Sequence, residues 1–190
     1  MLTYNHSVLT NNGSWLTDGS VTPPGPTFDS VTIGSQTWMS KNLTIDDGLG
    51  GIYTQTVNYG QGNVVEYYYT WDAAVRIASS IPGWHLPSTT EWETLATAVG
   101  GTSIAGKKLK ATYSWSYNGN GTDDYGFTVL PAGYWNSSSF NFLGSYAYFW
   151  TTNEYSSRYA YCYNFSSGGA ILTTYNLKNS YGYSIRLIKD

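Results

Sequence analysis

The sequence predicts an α+β domain, and two observations carry that prediction. Two adjacent helical patterns lie in the middle of the chain, and runs that alternate apolar and polar residues precede and follow them. The 190 residues suffice for one domain with a buried core. Only 11% of the residues are charged, while 17% are aromatic, with 19 Tyr and 8 Trp. This excess of aromatic over charged side chains is unusual for a globular domain.

The chain divides into a polar N-terminal stretch and a patterned remainder. Residues 1–28 are predicted to be an arm or linker, because they lack a strong period and end in the proline-rich "TPPGPTF". Residues 29–190 are predicted to form the domain. It begins with a strand–turn–strand pattern in "SVTIGSQTWMSKNL", which turns at Gly34. Residues 46–66, rich in Gly, Asn and Tyr, are expected to be a long loop with weak strands.

Two helices follow, each marked by apolar residues at a spacing of three and four. The first stripe consists of Trp71, Ala74, Val75 and Ala78. The second stripe consists of Trp92, Leu95, Ala96 and Val99. Ser88 with Glu91 three residues later forms the capping box that starts the second helix, and Gly100 ends it. No helical period returns after residue 106, so the rest is predicted as short strands between loops: "YGFTVLPAGYW", "AYFWTT", "YAYCYNF" and "GYSIRLI".

Composition and charge exclude several classes of function. A net charge of −3 with scattered Lys and Arg argues against a nucleic-acid partner. No apolar run is long enough to span a membrane, and the first residues do not resemble a signal peptide. The single cysteine rules out an internal disulfide and a cysteine-based zinc site. We therefore expect no cofactor and no membrane span.

Few residues suggest catalysis or a metal. His85 in "GWHLPS" fits a turn residue that packs ahead of the helix better than a general base. Glu91 is explained by capping, and Cys162 has no histidine nearby in the sequence to activate it. Asp123 and Asp124 in "NGTDDYGF" offer oxygen ligands for calcium, although turn formation explains them equally well. The sequence predicts no catalytic residue and no enzyme.

The last third of the chain is the informative part. Ten tyrosines lie at Tyr134 or later, among runs such as "NSSSFN", "NEYSSRYAY" and "TTYNLKNSYGY". Tyr with Ser, Asn and Gly is the composition of antibody and engineered binding surfaces, since Tyr supplies rigid contact area and the small polar residues supply adaptable hydrogen bonds. A carbohydrate-binding face is the alternative, because exposed aromatic rings also stack on sugars.

Several sequence blocks resemble a known family. They include "VTIGSQTWMSKNL", "YTWDAAV", "GWHLPSTTEWETL", "GTDDYGFTVLPAGYW" and "GYSIRLIKD". From about residue 30 onwards they look like the FISUMP domain, the major paralogous domain of surface proteins of gut bacteria. "WHLPSTTEWE" and "GYSIR" are also similar to the formylglycine-generating-enzyme branch of the C-type lectin fold. The resemblance implies that fold, with two helices and a distorted antiparallel sheet carrying long loops.

The chain departs from the active members of those relatives. Formylglycine-generating enzymes use active-site cysteines, and this chain has only Cys162. Calcium-dependent lectins carry Glu-Pro-Asn or Gln-Pro-Asp with Trp-Asn-Asp, and none of these motifs occurs here. Neither that enzymatic activity nor calcium-dependent sugar binding is therefore expected.

The segment from about Gly133 to Arg186 resembles the variable region of diversity-generating retroelement proteins, which share the C-type lectin fold. In that family, miscopied template adenines turn Asn codons into codons for Tyr, Ser, Asp, Gly, Thr, Cys and others. They cannot produce Trp, Lys or Glu. At many positions the segment contains residues that such miscopied codons produce, including Cys162. The residues that such codons cannot produce are then expected to be fixed parts of the scaffold: Trp135, Trp150, Glu154, Lys178 and Lys189.

The strand "YAYCYNFS" decides which residues are expected to face the ligand. Its side chains alternate, and we place the aromatic face of Tyr161, Tyr163 and Phe165 in the core, so Cys162 and Asn164 face outwards. Tyr159, at the strand end, could also reach out. Core side chains beneath are expected to be Phe149, Trp150, Ile185 and Leu187. The remaining predicted contacts, in the loops, are Asn136, Ser138, Asn141, Tyr146, Tyr148, Tyr155, Ser156, Arg158, Tyr175, Asn176, Leu177 and Tyr181.

These inferences predict a non-enzymatic binding protein that recognises a macromolecule, namely a protein, on a cell surface. A receptor-binding tip or tail fibre of a virion is the favoured setting, since no signal peptide is apparent, and display on a cell surface is the alternative. A carbohydrate-binding module of a bacterial surface protein is the alternative function. The sequence leaves the oligomeric state open.

Overall fold

The computed structural model describes residues 26–190, together with the backbone of residues 2–4, 7–9 and 15–16. In this part of the chain there are three helices and fifteen strands. No described helix is long and apolar enough to cross a membrane. The helices are α1 (Trp71–Ser79), α2 (Thr89–Ala98) and α3 (Thr102–Leu109).

The strands are short and antiparallel, and seven of the fifteen lie in the C-terminal third of the chain. The first eight are β1 (Leu2–Tyr4), β2 (Ser7–Leu9), β3 (Trp15–Leu16), β4 (Ser30–Ile33), β5 (Gln36–Met39), β6 (Ile52–Asn58), β7 (Asn63–Tyr69) and β8 (Trp84–His85). The other seven are β9 (Tyr134–Asn136), β10 (Ser139–Asn141), β11 (Tyr146–Glu154), β12 (Tyr159–Ser166), β13 (Ile171–Leu177), β14 (Tyr181–Gly182) and β15 (Ile188–Lys189).

The strands form five small sheets rather than one large one. Their strand orders are β1-β2-β3, β4-β5-β15-β8, β6-β7, β10-β9-β14 and β11-β12-β13. The last of these is the central sheet, because it has the longest strands and separates the two hydrophobic cores. Along β12 the side chains alternate between these cores: Tyr163 and Phe165 lie in the first, and Ala160 and Cys162 lie in the second.

The first core gathers around the α2 indole. Trp92 is fully buried and packs with the rings of Trp38, Phe127, Phe149 and Tyr163 at centroid distances from 4.9 to 6.1 Å. The second core lies between α1 and the other face of the central sheet. Its members include Met39, Trp71, Ala74, Ile77, Trp150, Cys162, Tyr183, Ile185 and Leu187. The predicted core residues Phe149, Trp150, Ile185 and Leu187 are all confirmed as buried.

Both predicted helices are confirmed, and so is the capping box predicted for the second. The Thr70 side chain caps α1 by accepting from the Ala73 amide. For α2, the capping box is complete: Ser88 accepts from the Glu91 amide, and the Glu91 carboxylate accepts from the Ser88 amide. The turn between β4 and β5 is likewise as predicted, with Gly34 at φ +61°, where a side chain would be strained.

Three parts of the prediction need correction. A third helix, α3, lies where no helical period was found. It has eight residues, contains Gly106 and lacks a side-chain N-cap, so it carries little sequence signal. Residues 46–66, expected to be a long loop with weak strands, contain β6 and the start of β7, and these two seven-residue strands pair without a register shift. The stretch Ile171–Leu177, expected to be a loop, is strand β13.

The predicted arm at residues 1–28 lies mostly outside the described residues. What the structure gives there is a small antiparallel sheet of β1, β2 and β3, and Pro26, which is buried.

Two buried cations fix loops around the central sheet. The fully buried Arg186 donates to the carbonyl oxygens of Met39, Phe127 and Thr128 and to Asn42 Oδ1 at 2.9 Å. Burial lowers the pKa of Arg186 to about 9, so the guanidinium stays charged at neutral pH. These hydrogen bonds replace the water that burial removes.

Lys110 holds the turn between β12 and β13. Its ammonium donates to the carbonyl oxygens of Ser166, Ser167 and Gly168 at 2.7, 3.2 and 2.7 Å, and lies 4.6 Å from the Trp115 ring centroid. Burial lowers its pKa to about 8. The "NFSSGG" run is therefore a fixed turn of the scaffold.

Candidate binding site: two tyrosine clusters

Strand β12 does not divide into one core face and one binding face. Cys162 is fully buried beside Trp150 and Tyr183 in the second core, and burial raises the pKa of its thiol to about 12. The prediction that Cys162 faces the ligand is wrong, because helix α1 and residues 183–187 cover that face of the sheet as well. Asn164, two residues on, is half-buried near the end of the same face.

Four tyrosines gather at the other end of β12, on the face that also carries Tyr163. We call them the edge cluster: Tyr155, Tyr159, Tyr161 and Tyr175. The rings of Tyr155 and Tyr175 stack with centroids 3.9 Å apart and planes within 5°. Tyr161 meets Tyr155 edge to face at 5.6 Å, and Tyr159 meets Tyr175 at 5.9 Å. Tyr155 is 50% exposed and Tyr175 is 44% exposed, so the stack stands in water.

The sequence places the edge cluster through strand pairing and a tight turn. Tyr161 lies directly opposite Tyr175 in the β12–β13 ladder, so both side chains emerge on one face. The turn from Tyr155 to Tyr159 is closed by the Tyr155 amide, which donates to the Tyr159 carbonyl at 2.9 Å. This turn folds the Tyr155 ring back onto the sheet.

Of the three charged side chains near the edge cluster, two form an ion pair. The Lys178 ammonium lies 2.7 Å from a Glu154 carboxylate oxygen and 4.3 Å from the Trp71 ring centroid. Arg158, in the turn, is exposed. A hydrogen bond with Tyr155 raises the pKa of Tyr175 above the ordinary value for a phenol. The surface is therefore aromatic, with hydroxyl groups and a single free cation among these residues.

A second group of aromatic side chains lies on the opposite face of the central sheet. We call Tyr134, Phe142, Tyr146, Tyr148 and Tyr181 the opposite cluster. Their rings contact one another at centroid distances of 5.3 to 5.9 Å, through pairs that include Tyr134–Tyr148 and Tyr146–Tyr148. Beneath them lies the buried Tyr183, whose ring stacks on Tyr148 at 4.9 Å. Burial raises the pKa of Tyr148 to about 12.

The predicted contact residues therefore divide between two faces. Those beside or within the edge cluster are Tyr155, Ser156, Arg158, Tyr159, Tyr175 and Leu177. Those on the side of the opposite cluster are Asn136, Asn141, Tyr146, Tyr148, Asn164, Asn176 and Tyr181. Ser138 is exposed between β9 and β10. The structure does not bring all of them together on one surface, because the buried central sheet separates the two sets.

Sequence reasoning missed three members of the clusters. The bulky neighbours Tyr163 and Phe165 on the same face predict a core position for Tyr161, yet its side chain is partly exposed. Tyr134 and Phe142 were not assigned to any surface. The alternation of β12 shows which face Tyr161 shares, but no local signal shows where the covering layer of α2 stops.

The acidic and histidine residues considered for chemistry have structural partners. Both Asp123 carboxylate oxygens accept from Thr128, one from its amide at 2.8 Å and one from its hydroxyl at 2.7 Å. His85 lies between Asp190 and Glu91, with N···O distances of 2.6 and 2.8 Å. Among the described residues, no three His, Cys, Asp or Glu side chains form a group suited to a metal ion.

A cleft of about 540 Å³ lies away from both clusters. Its walls include Phe28, Met39, Val65 and Leu130, and Glu66 lies at its buried end. The Glu66 carboxylate accepts from Asn42 at 3.0 Å and from the Tyr59 hydroxyl at 3.0 Å. Burial raises the pKa of Glu66, and these hydrogen bonds oppose the shift. No predicted contact residue lines this cleft.

The comparisons with known proteins give one family. The model of the Fibrobacter succinogenes major domain matches residues 31–189, which is nearly all of the described domain and confirms the resemblance to the FISUMP domain. No curated protein and no solved structure gives a match. The chain belongs to the Fibrobacter succinogenes major domain family.

Proposed function

We propose that this domain is a non-enzymatic recognition module that binds a protein through its tyrosine clusters. The observation that carries the proposal is the edge cluster, in which two stacked tyrosine rings stand about half exposed on a rigid sheet. Large aromatic side chains grouped on a surface indicate a binding site more than stability, because an exposed apolar patch gains little from folding. Tyrosine is also among the residues that dominate binding energy at protein interfaces.

The support beneath the cluster suits such a role. Tyr161 and Tyr175 are fixed by a ladder without bulges, and Tyr163 anchors the same face in the first core. Rings held in one arrangement before binding lose little conformational entropy when a partner arrives. Tyrosine hydroxyls with Ser156 and Arg158 would supply the polar contacts.

Diversification of residues 133–186 by a retroelement is part of the proposal. The residues in that segment that miscopied Asn codons cannot produce have structural contacts. Trp150 is fully buried, Trp135 stacks on Tyr53 at 3.5 Å, and Lys178 pairs with Glu154. The exposed tyrosines and their Ser and Asn neighbours are residues that such codons do produce. The proposed setting is a virion receptor-binding tip or the surface of a cell.

Inspection of the genome tests the diversification. A reverse transcriptase gene beside this one, with a template repeat nearly identical to the coding sequence of residues 133–186, is the expected result. Finding neither would refute the retroelement origin and would leave the binding proposal to the next experiment.

Binding is tested with variants and matched controls. The protein, labelled and free of other domains, is applied to an array of cell-surface proteins and to a glycan array. We expect binding to a protein that Tyr161→Ala and Tyr175→Ser reduce at least tenfold. Tyr117→Ala is the control, because Tyr117 is 85% exposed and lies outside both clusters. Binding only to glycans would instead support the carbohydrate-binding alternative, and equal loss in all three variants would contradict a role for the edge cluster.

A further inference from the structure

Strand β13 leaves one edge of the central sheet open. The Lys178 amide donates to the Arg158 carbonyl at 3.1 Å, so these two residues form a hydrogen-bonded pair beside the β12–β13 ladder. Such pairs alternate along antiparallel strands. The amide and carbonyl groups of Thr173, Tyr175 and Leu177 therefore point away from β12, and none of them has a backbone partner among the described residues.

The opposite edge of the same sheet is covered. Gly133 donates its amide to the Tyr146 carbonyl at 2.6 Å, and Ser184 donates to the Tyr148 carbonyl at 3.0 Å. Both ends of β13 are also occupied, and just after its last residue the Lys178 carbonyl accepts from the Trp71 amide at 2.8 Å. The Lys107 amide of α3 donates to the Gly169 carbonyl at one end. The open edge is thus a short, bounded stretch at residues 172–177.

This edge lacks the features that keep sheet edges apart. Exposed edges are normally protected by charged residues, proline or a bulge. The stretch 170–177, "AILTTYNL", has no charged residue and no proline, and its register with β12 is continuous. Leu172 is 58% exposed and Tyr175 is 44% exposed along it. A strand of this kind pairs readily with another strand.

We propose that β13 pairs antiparallel with β13 of a second copy of this chain, about a two-fold axis at Tyr175. Tyr175 then lies opposite the partner's Tyr175, and Thr173 lies opposite the partner's Leu177. In this register the outward amide and carbonyl groups of Thr173, Tyr175 and Leu177 all bond to the partner strand, because residues opposite each other in a hydrogen-bonded pair exchange two hydrogen bonds. A two-fold axis brings the same segment of both copies together, so an uncharged strand suits self-pairing because no like charges meet.

The pairing extends the binding surface without covering it. Cross-strand neighbours share a face of a sheet, so the edge clusters of both copies lie on the same side and form one continuous aromatic surface. The two copies together present a six-stranded sheet. This inference goes beyond the proposed function, and a monomer could still bind a ligand through its single edge cluster.

Measurement of the mass in solution tests the dimer. By light scattering or sedimentation, we expect the mass to rise with concentration from that of one 21.0 kDa chain to twice that value. Thr173→Pro removes one outward amide but no hydrogen bond to β12, and it should keep the protein monomeric. Thr173→Val, which retains the amide and the branched side chain, is the matched control and should dimerise like the wild type.

A cross-linking experiment tests the register independently of proline effects. In Tyr175→Cys the two introduced thiols lie about 5.5 Å apart at the Cα atoms, within reach of a short bismaleimide. In Leu172→Cys they lie six residues apart along the strand, about 20 Å, and should not be linked. Cys162 is fully buried and should not react. A single-chain mass at every concentration, with no preferential linking of Tyr175→Cys, would refute the dimer and leave the proposed function standing.

Discussion

Tyr161 and Tyr163 lie two residues apart on the same face of β12, yet they have different surroundings. Tyr163 is 1% exposed, its ring stacks on Trp92 at 5.3 Å, and its hydroxyl donates to the Thr89 carbonyl at 3.2 Å. Tyr161 is partly exposed, and among the aromatic side chains of the described residues it contacts only the tyrosines of the edge cluster. The difference shows where α2 stops covering the sheet.

The lesson is that a sheet face need not have one role along its length. The central sheet is longer than the helices that pack on it, so the same alternation that fills the core continues into solvent. At the covered end an aromatic ring stabilises the fold, and at the uncovered end it is free for a partner. Substitutions at the covered end should therefore lower stability, and substitutions at the uncovered end should instead lower binding.

The largest effect is expected for Trp92→Ala. Its indole contacts five other rings in the first core, so the substitution removes much apolar area and leaves a cavity. We expect a loss of about 3–5 kcal/mol in the free energy of unfolding, measured by urea denaturation. A loss below about 1 kcal/mol would contradict the placement of this residue at the centre of the core.

Paired substitutions of the two tyrosines test the boundary directly. Tyr163→Ala should cost about 3 kcal/mol, because it empties a buried site beside Trp92. Tyr161→Ala should cost less than about 1 kcal/mol, since its ring is partly in water. Both free energies of unfolding come from the same denaturation series. Similar losses in the two variants would mean that the covering layer extends over Tyr161.

A smaller effect is expected within the edge cluster. Tyr155→Ala and Tyr175→Ser should each lower the free energy of unfolding by less than about 1 kcal/mol. Because the two rings stack, the double variant should lose less than the sum of the single losses, by about 0.5–1 kcal/mol. Strict additivity in this double-mutant cycle would show that the stack does not persist in solution.

The smallest effect should depend on pH and concerns His85, which lies far from the boundary. Burial disfavours its charged form, but hydrogen bonds with Glu91 and Asp190 prevail and raise the pKa of His85. A raised pKa in the folded state gives a stabilisation that is present below the unfolded value of about 6.5. It is lost as the pH rises through the folded pKa.

Melting temperatures of the wild type and His85→Gln measure this effect. The difference in Tm should be largest at mildly acidic pH and vanish at alkaline pH. It should also shrink at strongly acidic pH, because the pKa of Glu91 is lowered and its carboxylate protonates there. A difference that is constant across the whole range would contradict the charged pairing.

Local patterns predicted the parts of the fold whose signals are local. The stripes of α1 and α2, the capping box at Ser88 and the turn at Gly34 are all found as expected. Helix α3 and strand β13 were missed because both are stabilised by contacts remote in sequence. For example, α3 and the start of β13 meet through Lys107 and Gly169.

The sequence predicted which types of residue form the candidate site more accurately than it predicted where those residues lie. Most chosen tyrosines do reach the surface, because a chain with so many aromatic residues cannot bury them all. Cys162 was misplaced since one strand shows alternation but not which of its faces are covered. Here both are covered near the middle of β12.

By itself the sequence determined the family, the two helices with the capping box of the second, and a tyrosine-rich, charge-poor C-terminal third. These follow from residue order and composition, which need no knowledge of distant contacts. The tertiary structure alone decided that the tyrosines form two clusters on opposite faces, that Cys162 is buried and that β13 has an open edge. Such features depend on where helices end above a sheet and which strands find neighbours, and those are properties of packing between segments far apart in the chain.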